Sequence, residues 1–161
     1  MRAKGGGVII NVTSVASRVP GTQYGGFYSS SKHALGTLSE ALAMEVNPFG
    51  IRVACVEPGF FDTEIFASSD WKSPAIPGAY EADQEWINRF YVLSGEATGA
   101  DPALAGKFIA DIAADPDAPM HNLIGDDTHQ FVDAVEQAGT FEGWIPVGTA
   151  IVEGVSGPRP I

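Results

Sequence analysis

The chain has 161 residues, 45% hydrophobic and 18% charged, a globular composition that excludes wholesale disorder and suits one domain with a real core. Nine Lys and Arg against 20 Asp and Glu leave a net charge of −11, which excludes nucleic acid as a partner, because a phosphate-backbone binder needs a basic face. No apolar run reaches the roughly 18 residues of a membrane span, and Met1-Arg2-Ala3-Lys4 followed by the short run Val8-Ile9-Ile10 does not read as a signal peptide.

The single cysteine, Cys55, cannot form an internal disulfide, so a reducing, cytoplasmic compartment with no membrane partner is expected. Residues 61–161 hold four basic and 17 acidic residues, which reads as a solvated acidic surface.

In chain order, Gly5-Gly6-Gly7 leads into Val8-Ile9-Ile10-Asn11-Val12. This is a short aliphatic strand of the kind covered on both faces in a parallel sheet. Ser14, Ser17, Pro20 and Gly21 mark residues 14–23 as a loop. From about residue 24 to residue 46 the spacing predicts one long helix. Phe27, Ala34, Leu35, Leu38, Ala41, Leu42 and Val46 recur at three- and four-residue steps as a single apolar stripe. Thr22 is placed to cap it and Asn47-Pro48-Phe49-Gly50 to stop it. Residues 51–57 form a second strand, so strand, helix and strand make a right-handed βαβ crossover. Pro58-Gly59 ends that strand at the carboxyl edge of the sheet, where ligands bind in open α/β folds.

Residues 64–100 read as less regular. Phe66, Trp71, Tyr80, Trp86, Phe90 and Tyr91 sit there among prolines and glycines. They make either an aromatic-rich packing region or a mobile lid over a substrate pocket. Asp101-Pro102 is a helix start, with a capping carboxylate and proline at the first helical position, and the helix runs to about residue 114. Residues 121–125 predict a short third strand. Asp126 or Asp127 then caps a helix to about residue 138. Residues 140–161, with Trp144, Pro158 and Pro160, read as an irregular tail.

Three features carry chemistry. Asn11-Val12-Thr13-Ser14 ends the first strand, Tyr28-Ser29-Ser30-Ser31-Lys32 opens the long helix, and Pro58-Gly59-Phe60-Phe61-Asp62-Thr63 follows the second strand. Tyr28 and Lys32 stand at i and i+4 and share a helix face. A phenol ordinarily titrates near 10, too high for a base at neutral pH, and an ammonium on the same face favours the phenolate. Such a phenol can give a proton to a carbonyl oxygen or take one from an alcohol. Ser14, at the strand tip, is placed to hydrogen-bond the same oxygen. Redox chemistry at such a site needs a hydride carrier.

With these residues the chain resembles the short-chain dehydrogenase/reductase family. A strand-end serine, a Tyr-x-x-x-Lys helix and a Pro-Gly turn follow in that order, with fourteen residues from Ser14 to Tyr28 and thirty from Tyr28 to Pro58. The likeness is close over residues 5–63 and looser over 100–138. It implies an NAD- or NADP-dependent oxidation of an alcohol to a ketone or aldehyde, reversible, on a small-molecule substrate. Tyr28 would be the general acid/base. Lys32 would tune it and bind the nicotinamide ribose, and Ser14 would stabilise the substrate oxygen. Pro58, Gly59, the backbone of Phe61, and Thr63 would hold the nicotinamide end and the nearby phosphate. The helix over 24–46 would be the face on which the family builds homo-oligomers.

The resemblance also implies the fold. It is α/β, a partial Rossmann-like doubly wound parallel sheet of about three strands with flanking helices over residues 1–139. Residues 64–100 are its variable substrate region and 140–161 its tail. The chain departs from the family at the front. No Gly-x-x-x-Gly-x-Gly turn opens a helix to hold the pyrophosphate, and the family's Asn-Asn-Ala-Gly strand and its catalytic asparagine are missing. The expectation is therefore the C-terminal half of such an enzyme, with the N-terminal, adenosine-binding half absent, the first strand left as an open edge, and no activity in isolation. The alternative is a non-enzymatic binding or dimerisation module derived from it.

Other features take bland readings. Tyr24 lacks a lysine four residues on and reads as loop or packing. Ser29-Ser30-Ser31-Lys32 matches Ser-x-x-Lys of penicillin-binding enzymes, but no Lys-Thr-Gly or Ser-Asp-Asn accompanies it. His33, His121 and His129 lack ligand spacing, so no metal site is expected, and they read as surface or packing residues. Gly5-Gly6-Gly7 precedes a strand, whereas a phosphate-cradling turn follows one, so it reads as a linker.

Overall fold

The β-branched runs at residues 8–10 and 51–56 favour extended backbone, because such side chains pack well on a pleated surface. They form β1 (Gly7–Val12) and β2 (Ile51–Pro58), joined later by β3 (His121–Ile124). The computed structural model describes residues 1–65 and 76–160. Within them the three strands make one parallel sheet in the order β1-β2-β3. Gly7 stands opposite Ile51 and Val12 opposite Val56, while Cys55 meets His121 and Pro58 meets Ile124. The helices are α1 (Gly26–Val46), α2 (Glu81–Thr98), α3 (Pro102–Ala114), α4 (Thr128–Ala138) and α5 (Phe141–Ser156).

β2 is the central strand, and Val53, Ala54, Cys55, Val56 and Glu57 are all buried. The two-residue alternation of a strand sends Ala54 and Val56 to one face, where Ile112, Phe108 and Ile109 of α3 and Ile10 of β1 pack on them. On the other face α1 covers Cys55, whose thiol burial pushes up and a hydrogen bond with Ser39 pulls back. Asn11 donates to the same Ser39 at 2.7 Å. α3 starts as its sequence demands. Asp101 accepts from the Ala103 N–H at 2.8 Å with Pro102 as the first helical residue. Its far end is met by Arg52, which donates to the Ile112 carbonyl at 2.5 Å, a cation where helix carbonyls lack partners.

α1 corrects three expectations. It begins at Gly26, not at residue 24. Its cap position is Gly25, without a side-chain bond, and Thr22 instead pairs its hydroxyl with that of Tyr91. The apolar stripe also does not face the sheet as a unit. Ser29, Gly36 and Ser39 are the buried positions, small enough for α1 to lie close to β2. Leu35, Leu42 and Val46 are half-buried beside them, while Phe27 and Leu38 are exposed, Phe27 at 95%.

Two further expectations are overturned. Residues 64–100 are not irregular throughout, because 81–98 form α2. Trp86, Ile87, Phe90 and Ser94 recur at helical spacing on its buried side. Phe66 and Trp71 lie outside the described residues. The tail expected over 140–161 is mostly α5. Thr140 caps it by accepting from the Gly143 N–H at 3.1 Å. It continues through Pro146, although proline there removes a helix N–H. Burial explains why it persists. Val152 of α5 joins Trp86, Ile87 and Phe90 of α2 in one core, with Tyr24, Phe60, Tyr91, Phe131 and Ile151 around it.

After α5, Arg159 grips Asp83 of α2 with Nε to Oδ1 at 2.6 Å and Nη2 to Oδ2 at 2.7 Å. Trp86 donates its indole N–H to the Gly157 carbonyl at 2.8 Å. Among the described residues no helix is long and apolar enough to cross a membrane.

Candidate active site

The carboxyl end of the sheet places the three sequence motifs together. β1 ends at Val12, and the next two residues turn toward β2. Thr13 bonds the Val56 carbonyl through both its N–H and its hydroxyl, at 2.8 and 3.1 Å. Ser14 follows in extended backbone and caps a short turn over Val15–Ser17, accepting from the Ala16 N–H at 3.1 Å. Its hydroxyl also reaches the Pro58 carbonyl at 3.4 Å. Ser14 is thus buried and clamped between the ends of β1 and β2.

Tyr28 lies in the first turn of α1 and is half exposed. Lys32, one turn on, sets its ammonium 5.7 Å from the centre of the Tyr28 ring and donates to the Val12 carbonyl at 3.2 Å. That bond uses one of the three donors of an ammonium. Partial burial holds the lysine below its ordinary range. Ser14 and Tyr28 wall the same cavity, of about 700 Å³, together with Gly59 and Phe60.

The turn after β2 is fastened by a residue that sequence spacing marked only as a helix cap. Asp127, before α4, makes no side-chain cap bond to its own helix. Its carboxylate accepts from the Phe60 N–H at 3.1 Å. Burial pushes that carboxyl above its usual range, and the Phe60 N–H pulls it back. A side chain at Gly59 would collide with both Asp127 carboxylate oxygens, so a larger residue there would displace that carboxylate. Beyond it, Ala100 donates to the Phe60 carbonyl at 3.2 Å and accepts from the Asp62 N–H at 2.9 Å. The N–H of Phe61 between them has no hydrogen-bond partner among the described residues. Thr63 is exposed, and its hydroxyl accepts from the Ile65 N–H at 3.4 Å.

The facing wall comes from α2, α4 and α5. Tyr91 meets Thr22 hydroxyl to hydroxyl. Burial pushes its phenol above the ordinary range, the Thr22 bond opposes that, and Tyr28 is near enough to add to the rise. Tyr24, which stands at φ 58, donates its hydroxyl to Asp83 at 3.0 Å. Both bonds tie the loop before α1 to α2. Neither was legible in the sequence, although the recurrence of Trp86, Ile87, Phe90 and Ser94 was a helix signal that the surrounding glycines and prolines obscured.

The histidines differ from one another. His121 bridges two carboxylates, Glu57 at 2.7 Å and Glu40 at 2.9 Å, and the carboxylate of the fully buried Glu57 also lies 3.9 Å from Arg18. This network ties β2, β3 and α1 below the site.

Among the described residues, the unpaired Phe61 N–H, the two remaining ammonium donors of Lys32 and the Thr63 hydroxyl suit a carboxamide, a ribose and a phosphate, so the donor set fits the nicotinamide end of a dinucleotide.

A family model described as short chain dehydrogenase matches residues 1–73. The chain is 35% identical over 125 residues to a 3-ketodihydrosphingosine reductase of Bacteroides thetaiotaomicron, covering 78% of this chain and 46% of that protein. A short-chain dehydrogenase from Streptomyces avermitilis superposes with a TM-score of 0.72 at 28% identity, over 96% of this chain and 54% of the other. L-sorbose reductase from Gluconobacter frateurii, solved with NADPH and L-sorbose, superposes with a TM-score of 0.56 at 26% identity, over 78% of this chain and 48% of the other. The chain spans about half the length of the relatives it matches. The ordered serine, tyrosine, lysine and Pro-Gly turn, the parallel sheet that carries them and these likenesses agree, and the chain belongs to the short-chain dehydrogenase family.

Proposed function

We propose that this chain carries the reacting half of an NAD- or NADP-dependent oxidoreductase that interconverts a small-molecule alcohol and its ketone or aldehyde. The observation that carries the reading is the shared cavity of Ser14 and Tyr28, with the Lys32 ammonium beside the Tyr28 ring. A nicotinamide, when bound, accepts or supplies the hydride. Tyr28 takes the hydroxyl proton from the alcohol as its carbon is oxidised, and returns a proton to the carbonyl oxygen in the reverse direction. Ser14 donates a hydrogen bond to that oxygen. Lys32 keeps a positive charge beside the ring and holds the nicotinamide ribose. Pro58, Gly59, the Phe61 N–H and the Thr63 hydroxyl hold the nicotinamide end and the nearby phosphate.

The chain contains no glycine-rich turn opening a helix for the pyrophosphate, so the 161 residues alone bind dinucleotide weakly and do not turn over. A melting experiment with NADH and with NADPH tests this. No shift is expected at sub-millimolar cofactor, and a clear shift would contradict it. Co-expression with the nucleotide-binding half of a related dehydrogenase should restore nicotinamide-linked ketone reduction. In that assembly Tyr28→Phe should lose turnover and keep cofactor binding, whereas Lys32→Ala should lose both. Substantial activity in the Phe variant removes Tyr28 from the acid/base role.

A second reading, a module that pairs with another chain of this type, is favoured by the outward face of α1, where Phe27, Leu38 and Met44 are exposed. Native mass spectrometry decides it, and a lone stable monomer sinks it.

A further inference from the structure

The cavity has a chemical asymmetry that the oxidoreductase reading does not require. Its polar lining is Ser14, Thr22, Gln23, Tyr24, Tyr28 and Ser29 from the loop before α1 and the first turn of α1, with Asn88 and Tyr91 from α2. The wall from α4 and α5 is Phe131, Phe141, Trp144, Ile145, Ile151 and Val152, relieved only by Thr149. Among the described residues that line it there is no Asp, Glu, Lys, Arg or His, in a chain where charged residues are 18% of the total. A volume of about 700 Å³ is that of a site for a drug-sized ligand.

Burying a carboxylate, phosphate or ammonium against such a wall would leave the charge without a partner, which is costly. Burying hydrocarbon there is favourable with every methylene removed from water. The mouth continues the pattern, since Phe27, Phe141 and Ile145 line the cavity and are also exposed.

We infer that the substrate is an uncharged lipophilic alcohol or ketone. Its reacting oxygen meets the hydroxyl side and an extended hydrocarbon arm lies against α4 and α5. The inference rests on Ser14 and Tyr28 marking the reacting end. Charged acyl or phosphorylated substrates are excluded from this cavity.

The test needs no cofactor and uses the chain as it is. Methyl ketones from butanone to tridecanone are titrated while tryptophan fluorescence is read, because Trp144 lines the cavity. Fatty acids of matched length, above their own pKa, are the second series. For the ketones, Kd should fall about fourfold per added methylene, the equivalent of roughly 0.8 kcal/mol for each CH₂ buried, until the arm outgrows the cavity. The matched carboxylates should bind at least about tenfold more weakly, since their charge has no partner there.

Ile145→Lys places an ammonium at the rim. Ile145 is 51% exposed, so the variant should keep its fold by circular dichroism, and it should reverse the preference toward the carboxylates. A Kd independent of ketone length, or carboxylates bound by the unaltered chain as tightly as ketones, overturns the inference. Failure of the two readings is distinguishable. Length-dependent binding with no hydride transfer in the complemented enzyme sinks the oxidoreductase reading alone. Turnover of short polar hydroxyketones without length dependence sinks the lipophilic inference alone.

Discussion

Ser14 and Tyr28 line the cavity on one side and Phe90, Tyr91, Trp144 and Ile151 on the other, and the two sides are held in different ways. The hydroxyl side is fixed by the sheet. Ser14 is clamped by the Ala16 N–H and the Pro58 carbonyl, Lys32 by the Val12 carbonyl, and the Gly59 N–H by the Ile124 carbonyl. Tyr28 and Lys32 stay partly open to solvent, whereas Ser14 is buried. The apolar side is fixed by the packing of α2 on α5 through Trp86, Ile87, Phe90 and Val152, with Arg159 and Asp83 closing the seam. One side can therefore lose chemistry without losing its fold. The other can lose its fold while every chemical group remains.

The largest break in that comparison comes from Tyr28→Phe. Removing the transferable proton should cost about 10²–10⁴-fold in kcat of the complemented enzyme, while the urea midpoint stays close to that of the parent because Tyr28 is half exposed. On the opposite wall Phe90→Ala should do the reverse. It should cost about 3–5 kcal/mol in urea unfolding, the sum of lost burial and the cavity left behind, with loss of the long-chain preference among ketones.

Gly59→Ala sits between the two sides. Its methyl would collide with Asp127, for a cost of about 1–3 kcal/mol from overpacking. Adding Asp127→Ala should cost less than the two single effects combined, because both act on one contact, and a thermal melt of the double variant checks this.

Arg159→Ala should cost about 1–3 kcal/mol, toward the lower end because the arginine is 40% exposed. The effect should depend on pH. The Arg159 guanidinium holds the Asp83 carboxyl below its usual range. A depressed carboxyl adds stability above its unfolded value of about 3.9 and loses it as the pH falls through the folded value. The gap between parent and variant should thus be full near neutrality and shrink below about pH 4. The smallest effect is expected from Leu38→Glu on the outward face of α1. Stability should move by less than about 0.5 kcal/mol, and only self-association, read by native mass spectrometry, should respond.

The hydroxyl side was legible in the chain because its information is local. Tyr28 and Lys32 are one helical turn apart, Ser14 ends an aliphatic strand, and Pro58-Gly59 ends the next, so periodicity and motif order place all of them on one edge of a parallel sheet. The apolar side was not legible. Thr22 reads as a cap from its neighbours, yet its hydroxyl belongs to Tyr91. The leucines of α1 read as one core stripe, yet Leu35 and Leu42 turn toward the sheet and Leu38 toward solvent. Pro158 and Pro160 read as part of an irregular tail, yet most of it is helix and buries Trp144 and Val152.

What the amino-acid order determined by itself was the β1-α1-β2 crossover, the capped start of α3 at Asp101 and the sequence of reacting groups, because each is set within about one element of chain by backbone preference and side-chain spacing. Only the tertiary structure decided the rest. α2 pairs with α5, Asp127 holds the Phe60 N–H close against Gly59, and His121 joins Glu57 to Glu40. These contacts link residues tens of positions apart, and burial of apolar surface, which chooses among them, is non-directional and carries no local signature.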